Sequence, residues 1–264
     1  REAAKDVKVV LSGEGADELF GGYNIYRDPF TARWYDRLPP WLRAGLGAAA
    51  SLLPPARGVN FLVRRGMSLE ERYFGPTALF NEREKRRLLA DYAGDGDPMF
   101  LTEAIWDATE GLDPVTRMQQ VDLNLWLAGD ILLKADKMSM AHSLELRVPY
   151  LDREVLREAQ TYPDSYKLRG DTKAVLRTAA NKTLPDAWAN RTKKGFPVPI
   201  AKWLEDPAFS AKVRKSFMSD VAAEYFDQDK LVAMLADPKH ERRKIWTAYT
   251  FLTWHEQFFE KFDA

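Results

Sequence analysis

The chain has 264 residues, 45% hydrophobic and 30% charged, a composition that sustains a sizeable core and excludes a disordered chain. Its 39 Lys and Arg balance its 39 Asp and Glu, so no net field draws it to nucleic acid or an anionic membrane; without cysteine it holds no disulfide, zinc-thiolate site, iron-sulfur cluster or thiol nucleophile. No run of about 18 apolar residues predicts a membrane span, and Arg1-Glu2-Ala3-Ala4-Lys5-Asp6 lacks a signal peptide's apolar core, so a cytoplasmic protein is expected.

Val7 to Leu11 reads as a short buried strand, since Val7, Val9, Val10 and Leu11 are apolar and a glycine-rich turn follows at once. A lone strand is not stable and no second one is apparent in the rest of the sequence, so its partners are expected upstream of Arg1. The turn, Ser12-Gly13-Glu14-Gly15, leads into a helix at Ala16-Asp17-Glu18. Such a turn exposes backbone N–H groups, and glycine lets a ligand approach the main chain. Its carboxylates Glu14, Asp17 and Glu18 would repel a bare phosphate. They suit a nucleotide base or ribose, a bound Mg²⁺ or an amine, or else they only cap the helix dipole.

The remainder reads as helices. Leu38 to Gly66, rich in proline and glycine, is either a mobile connection or an apolar helical pair. Asn81 with Glu84 predicts a capping box, and Arg83, Lys85, Arg86 and Arg87 alternate with acids as on a solvated helix face. Asp113-Pro114 and Asp206-Pro207 mark two further helix starts. Met118, Val121, Leu125, Ile131, Ala135 and Met138 form one core-facing stripe, with an interruption expected near Gly129. Glu145 and Arg147 read as a buried structural pair in preference to a catalytic one. Helices are expected over Asp152 to Tyr162 and Thr172 to Thr183, with Lys173 and Arg177 on a solvated face of the second. Arg191-Thr192-Lys193-Lys194-Gly195-Phe196 is an exposed basic loop or a pyrophosphate clamp. Ile245, Ala248, Tyr249, Leu252, His255, Phe259 and Phe262 recur at helical spacing as packing, and the three histidines make neither metal-ligand spacing nor a triad.

Ser-Gly-Glu-Gly-Ala-Asp-Glu-Leu-Phe-Gly-Gly-Tyr, unbroken from Ser12 to Tyr23, resembles the second nucleotide-site motif of the glutamine-dependent asparagine synthetases. Two further stretches are similar to that family: Asp136-Lys137-Met138-Ser139-Met140-Ala141 with Leu144 to Asp152, and the loop Arg191 to Phe196. The resemblance implies that the chain is the C-terminal part of an adenine-nucleotide-hydrolase-like (Rossmann-like, PP-loop) α/β domain, mainly α here, with one parallel-sheet strand near residues 7–11. It divides the chain into a strand-turn-helix of the nucleotide site (1–29), a variable helical insertion (30–105) and a helical region with the remaining site residues (106–264).

The implied reaction has aspartate attack the α-phosphate of ATP, with Mg²⁺, and ammonia from glutamine then displace AMP from β-aspartyl-AMP. By resemblance Glu14 orients or deprotonates the ammonia, Asp17 positions the aspartyl group or Mg²⁺, and Lys193 holds the departing pyrophosphate. Ser12, Gly13, Gly15, Asp130 and Arg191 bind the nucleotide. The implied partners are these small molecules and an upstream glutaminase domain, with no nucleic acid and no membrane; a homodimer is compatible. The glutaminase cysteine and the first phosphate loop of the full enzyme are absent from these residues, so the chain by itself is expected to be inactive. Two alternatives stay open: another amide ligase of the superfamily acting on a different carboxylate, and a non-catalytic helical interaction domain. Glu14 favours free ammonia over a tethered amine, because β-lactam synthetases tend to carry tyrosine there.

Overall fold

In a computed structural model of the chain, the strand expected at residues 7–11 is Val9–Leu11 (β1), and a second strand, Glu145–Arg147 (β2), runs parallel to it. The register is Val9↔Glu145, Val10↔Leu146, Leu11↔Arg147. This corrects the reading of a single strand. Three residues with charged side chains on either side of one leucine carry no period-two signal. The expectation of burial is corrected too: Val9 is 49% and Leu11 76% exposed.

The structure describes residues 1–54, 56–75, 79–92, 98–192, 195 and 198–260, and these are mainly helical. The chain divides into two compact units, one of residues 1–77 and 98–192, the other of residues 78–97 and 193–264.

In the first unit, Leu38 to Gly66 is the helical pair, Pro40–Ser51 and Arg57–Gly66, whose backbones meet at Gly47 and Gly66. Three consecutive segments, Pro114–Val121, the π-helical Asp122–Leu132 and Leu133–Met140, carry the long stripe. No break occurs at Gly129. The wider π turn absorbs it and rotates the later residues, so Met118 and Val121 are core while Leu125 and Met138 are exposed. Tyr26, Tyr73, Trp106, Val115, Met118 and Val121 make one core, and Leu19, Phe20 and Ala159 a smaller one beneath the helix Arg153–Thr161.

In the second unit, Asn81 and Glu84 form the expected capping box on Glu82–Leu88. The helices beginning at Pro207 and Pro238 pack Val213, Phe217, Ile245, Ala248 and Leu252 with Leu88, Leu204 and Leu231. The terminal stripe is therefore packing as far as Leu252, whereas Phe259 is exposed and Phe262 lies outside the described residues.

Candidate functional site

The sheet delivers the chain into the glycine turn. The Ser12 N–H donates to the Arg147 carbonyl at 2.8 Å, extending the ladder by one residue, and the helix Ala16–Phe20 begins after Gly15. Gly15 sits at φ +86°, and a Cβ there would come within 2.3 Å of Leu151 Cδ2. Only glycine satisfies both conditions. Gly13 differs, having nothing within 4 Å of where a Cβ would be, so its face is open to a ligand.

The three acids of the turn meet three environments. Glu14 is half-buried, and its Oε2 is fully buried with no hydrogen-bond partner among the described residues. An orphaned carboxylate oxygen is costly to keep, and a donor such as an amine would satisfy it. Asp17 Oδ2 lies 3.0 Å from Lys173 Nζ. Room for that pair exists because residue 22 is glycine: a Cβ there would be 1.9 Å from Asp17 Oδ1 and 2.4 Å from Lys173 Cε. Glu18 is buried and accepts the Tyr23 hydroxyl at 2.6 Å, while Trp126 Nε1 donates to that hydroxyl at 3.3 Å. Burial first, and then the bond to Glu18, push the Tyr23 hydroxyl far above its ordinary pKa, so it stays a donor.

Lys173 and Arg177 therefore do not stand on a solvated face, which corrects the sequence reading. Lys173, in left-handed backbone at φ +56°, closes on Asp17. Arg177 binds the carbonyls of Thr172 at 2.9 Å and of Ala189 and Arg191 at 3.1 Å each, and its Nη2 is 3.3 Å from Asp171 Oδ2. It is a strut under the start of the basic loop. Arg191 itself is exposed, and Lys193, Lys194 and Phe196 lie outside the described residues. Asp130 sits in the π segment, half-exposed and 3.9 Å from Lys134 one turn on; no described bond joins it to the Ser12 turn. Glu145 and Arg147 do pair, but in the open, because β2 turns both side chains outward on one face. The expectation of a buried pair is corrected accordingly.

One group had no signal in the sequence. Asp122 is fully buried at the start of the π segment, and both the Tyr26 and the Tyr73 hydroxyls donate to its Oδ2, the latter at 2.6 Å. Its Oδ1 has no hydrogen-bond partner among the described residues. Burial raises its pKa to about 6 against the lowering effect of the two hydroxyls. Among the described residues no three His, Asp or Glu side chains converge as a metal cage.

Sequence comparison gives the family of the chain. The family model described as Asparagine synthase matches residues 1–256. The chain is 42% identical over 267 residues to "Asparagine synthetase [glutamine-hydrolyzing] 1" of Bacillus subtilis (strain 168), covering 99% of this chain and 42% of that protein. It is 44% identical over 269 residues to "Putative asparagine synthetase [glutamine-hydrolyzing]" of Mycobacterium tuberculosis (strain ATCC 25618 / H37Rv), covering 98% of this chain and 41% of that protein. A more distant similarity, 25% over 232 residues, is to "Amidase chry2" of Gibberella zeae, covering 77% of this chain and 34% of that protein. The chain thus spans less than half the length of these curated relatives. On the match over residues 1–256, it belongs to the asparagine synthase family.

Proposed function

We propose that this chain supplies the adenylate and ammonia side of an ATP-dependent asparagine synthetase. The reading is carried by the Ser12 to Asp17 turn, which combines an open backbone at Gly13 with the buried, unpartnered Glu14 Oε2. In it, the N–H groups of the turn hold the AMP portion while a β-carboxylate oxygen of aspartate bonds to the α-phosphorus and pyrophosphate departs. Ammonia then attacks the acyl carbon, AMP leaves with the bonding pair, and Glu14 takes the proton. Asp17, fixed by Lys173, positions the aspartyl group; Asp130 and Arg191 bind nucleotide, and Lys193 steadies the pyrophosphate.

A magnesium ion would neutralise phosphate charge; it needs only one or two carboxylates besides the phosphates, and in this reading Asp17 would supply one. The partners in this reading are a glutaminase domain, as the printed names of the relatives imply, and further strands of a Rossmann-like PP-loop sheet. The helices that connect such strands would cover Val9 and Leu11, which are exposed here. No described helix is long and apolar enough to cross a membrane. The similarity to a named amidase keeps a second reading, in which a different carboxylate accepts the nitrogen.

The test is aspartate-dependent release of pyrophosphate and formation of asparagine by the full-length protein, with ATP and ammonia supplied. Glu14→Ala should abolish asparagine while the protein stays folded. Synthesis that survives this change would overturn the role of Glu14, and turnover with a carboxylate other than aspartate would favour the second reading. Residues 1–264 assayed alone should be inactive.

A further inference from the structure

On the side of the helix Ala16–Phe20 lined by Leu19 lies a cleft of about 210 Å³, roughly the volume of seven water molecules at the liquid share of about 30 Å³ each. Its apolar wall is Leu19, Leu123, Leu156 and Ala159. Into it project two side chains that are each only 3% exposed, Lys167 and Gln119. Lys167 Nζ donates to Gln119 Oε1 at 2.9 Å, its one hydrogen bond among the described residues, and Gln119 Nε2 is buried with no partner. Asp164, one turn before Lys167, offsets part of its charge. The Asp164 oxygens are taken by the Val115 N–H at 2.8 Å and the Thr116 hydroxyl at 3.1 Å.

Two of the three ammonium hydrogens and both amide hydrogens are left without acceptors in a largely apolar cleft. Buried donors in that state are costly, and burial already lowers the pKa of Lys167. What would relieve the cost is an acceptor bearing negative charge. The Glu18 carboxylate also lines the cleft, with its Oε1 engaged by Tyr23, so only a charge that meets the Lys167 ammonium is offset and a second negative charge on a ligand would be repelled.

We propose that this cleft is a binding site for a small aliphatic monocarboxylate, whose carboxylate accepts from Lys167 and Gln119 and whose hydrocarbon body packs on Leu19, Leu123, Leu156 and Ala159. None of the residues assigned to amide synthesis supplies these contacts, so the site stands independently of that reading.

Calorimetric titration of the intact protein with isovalerate, and with isoamyl alcohol as the uncharged analogue, tests it. The expected result is saturable isovalerate binding, with the alcohol weaker by about tenfold or more, the usual worth of a hydrogen bond to a charged group. Lys167→Met and Gln119→Leu should each weaken isovalerate by a similar factor, and Ala159→Leu, which fills the cleft without touching a donor, should abolish binding. No saturable isovalerate binding, equal binding of acid and alcohol, or unchanged binding in Ala159→Leu would each overturn the site. If Lys167→Met or Gln119→Leu does not fold, the acid-to-alcohol comparison and Ala159→Leu decide it.

Discussion

Lys173 Nζ lies 3.0 Å from Asp17 Oδ2, and Lys173 reaches that carboxylate from a left-handed backbone conformation at φ +56°. Two opposing energies meet at one residue. The ion pair, a quarter exposed on each side, is worth about 0.5–1 kcal/mol after solvent screening. The left-handed backbone costs a non-glycine residue roughly 1–2 kcal/mol.

Lys173→Gly should therefore be at least as stable as Lys173→Met in urea denaturation, by about 1 kcal/mol, although both lose the pair. Both should lose amide synthesis in the full-length protein to a similar extent. If Lys173→Gly keeps activity that Lys173→Met loses, the pair is not what positions Asp17.

The glycines of the turn separate folding from ligand binding. Gly15→Ala puts a methyl group 2.3 Å from Leu151 Cδ2 in a positive-φ position and should cost about 2 kcal/mol or more in stability. Gly13→Ala meets nothing within 4 Å and should change stability by less than about 0.5 kcal/mol, yet raise the KM for ATP by crowding the open backbone. Thermal melts beside ATP titrations of the rate distinguish the two, and a stable Gly15→Ala would contradict the packing described.

Stability should fall as pH rises through the range set by Asp122. Its folded pKa, about 6, is above the ordinary aspartate value of 3.8, so between those values the folded state binds more protons than the unfolded. The contribution is present in full below 3.8 and is lost as pH rises through about 6, a change of roughly 3 kcal/mol at 1.36 kcal/mol per pKa unit. Asp122→Asn should remove this slope from stability measured between about pH 4 and 7. Tyr73→Phe deletes a hydroxyl that lowers the pKa and should extend the slope to higher pH. A Tyr73→Phe slope that moves to lower pH would contradict this assignment.

Arg177→Lys keeps one charge but cannot bind the Thr172, Ala189 and Arg191 carbonyls together. The expected effect is on the nucleotide: a KM for ATP raised by about tenfold, a loss of about 1.4 kcal/mol in binding, with a smaller change in kcat. An unchanged KM with a depressed kcat would place the strut's effect on the chemical step instead.

Much of the local architecture was legible because its signals are local. The turn after Leu11, the capping box at Asn81 and the proline-led helices depend on residues within a few positions of one another. What escaped depends on partners far away. Glu145–Arg147 becomes a strand only because Val9–Leu11 lies beside it, and Lys173 leaves a solvated face only because Asp17 stands opposite. Asp122 carries no local signal; its character comes from Tyr26 and Tyr73, contributed by other segments of the same unit.

The parallel pairing of β1 with β2 also sets a schedule for biosynthesis. The two strands are more than a hundred residues apart in sequence, and the Ser12 N–H waits for the Arg147 carbonyl. At about 5–20 residues per second, a nascent chain spends on the order of ten seconds on the ribosome with the turn after Leu11 made but not anchored. Pairing so distant in sequence is slow to form, and until then the apolar Val9 to Leu11 segment offers an unpaired edge to any other chain nearby. The Ser12 turn is thus translated well before Glu145–Arg147, and its anchoring waits for that later part of the chain.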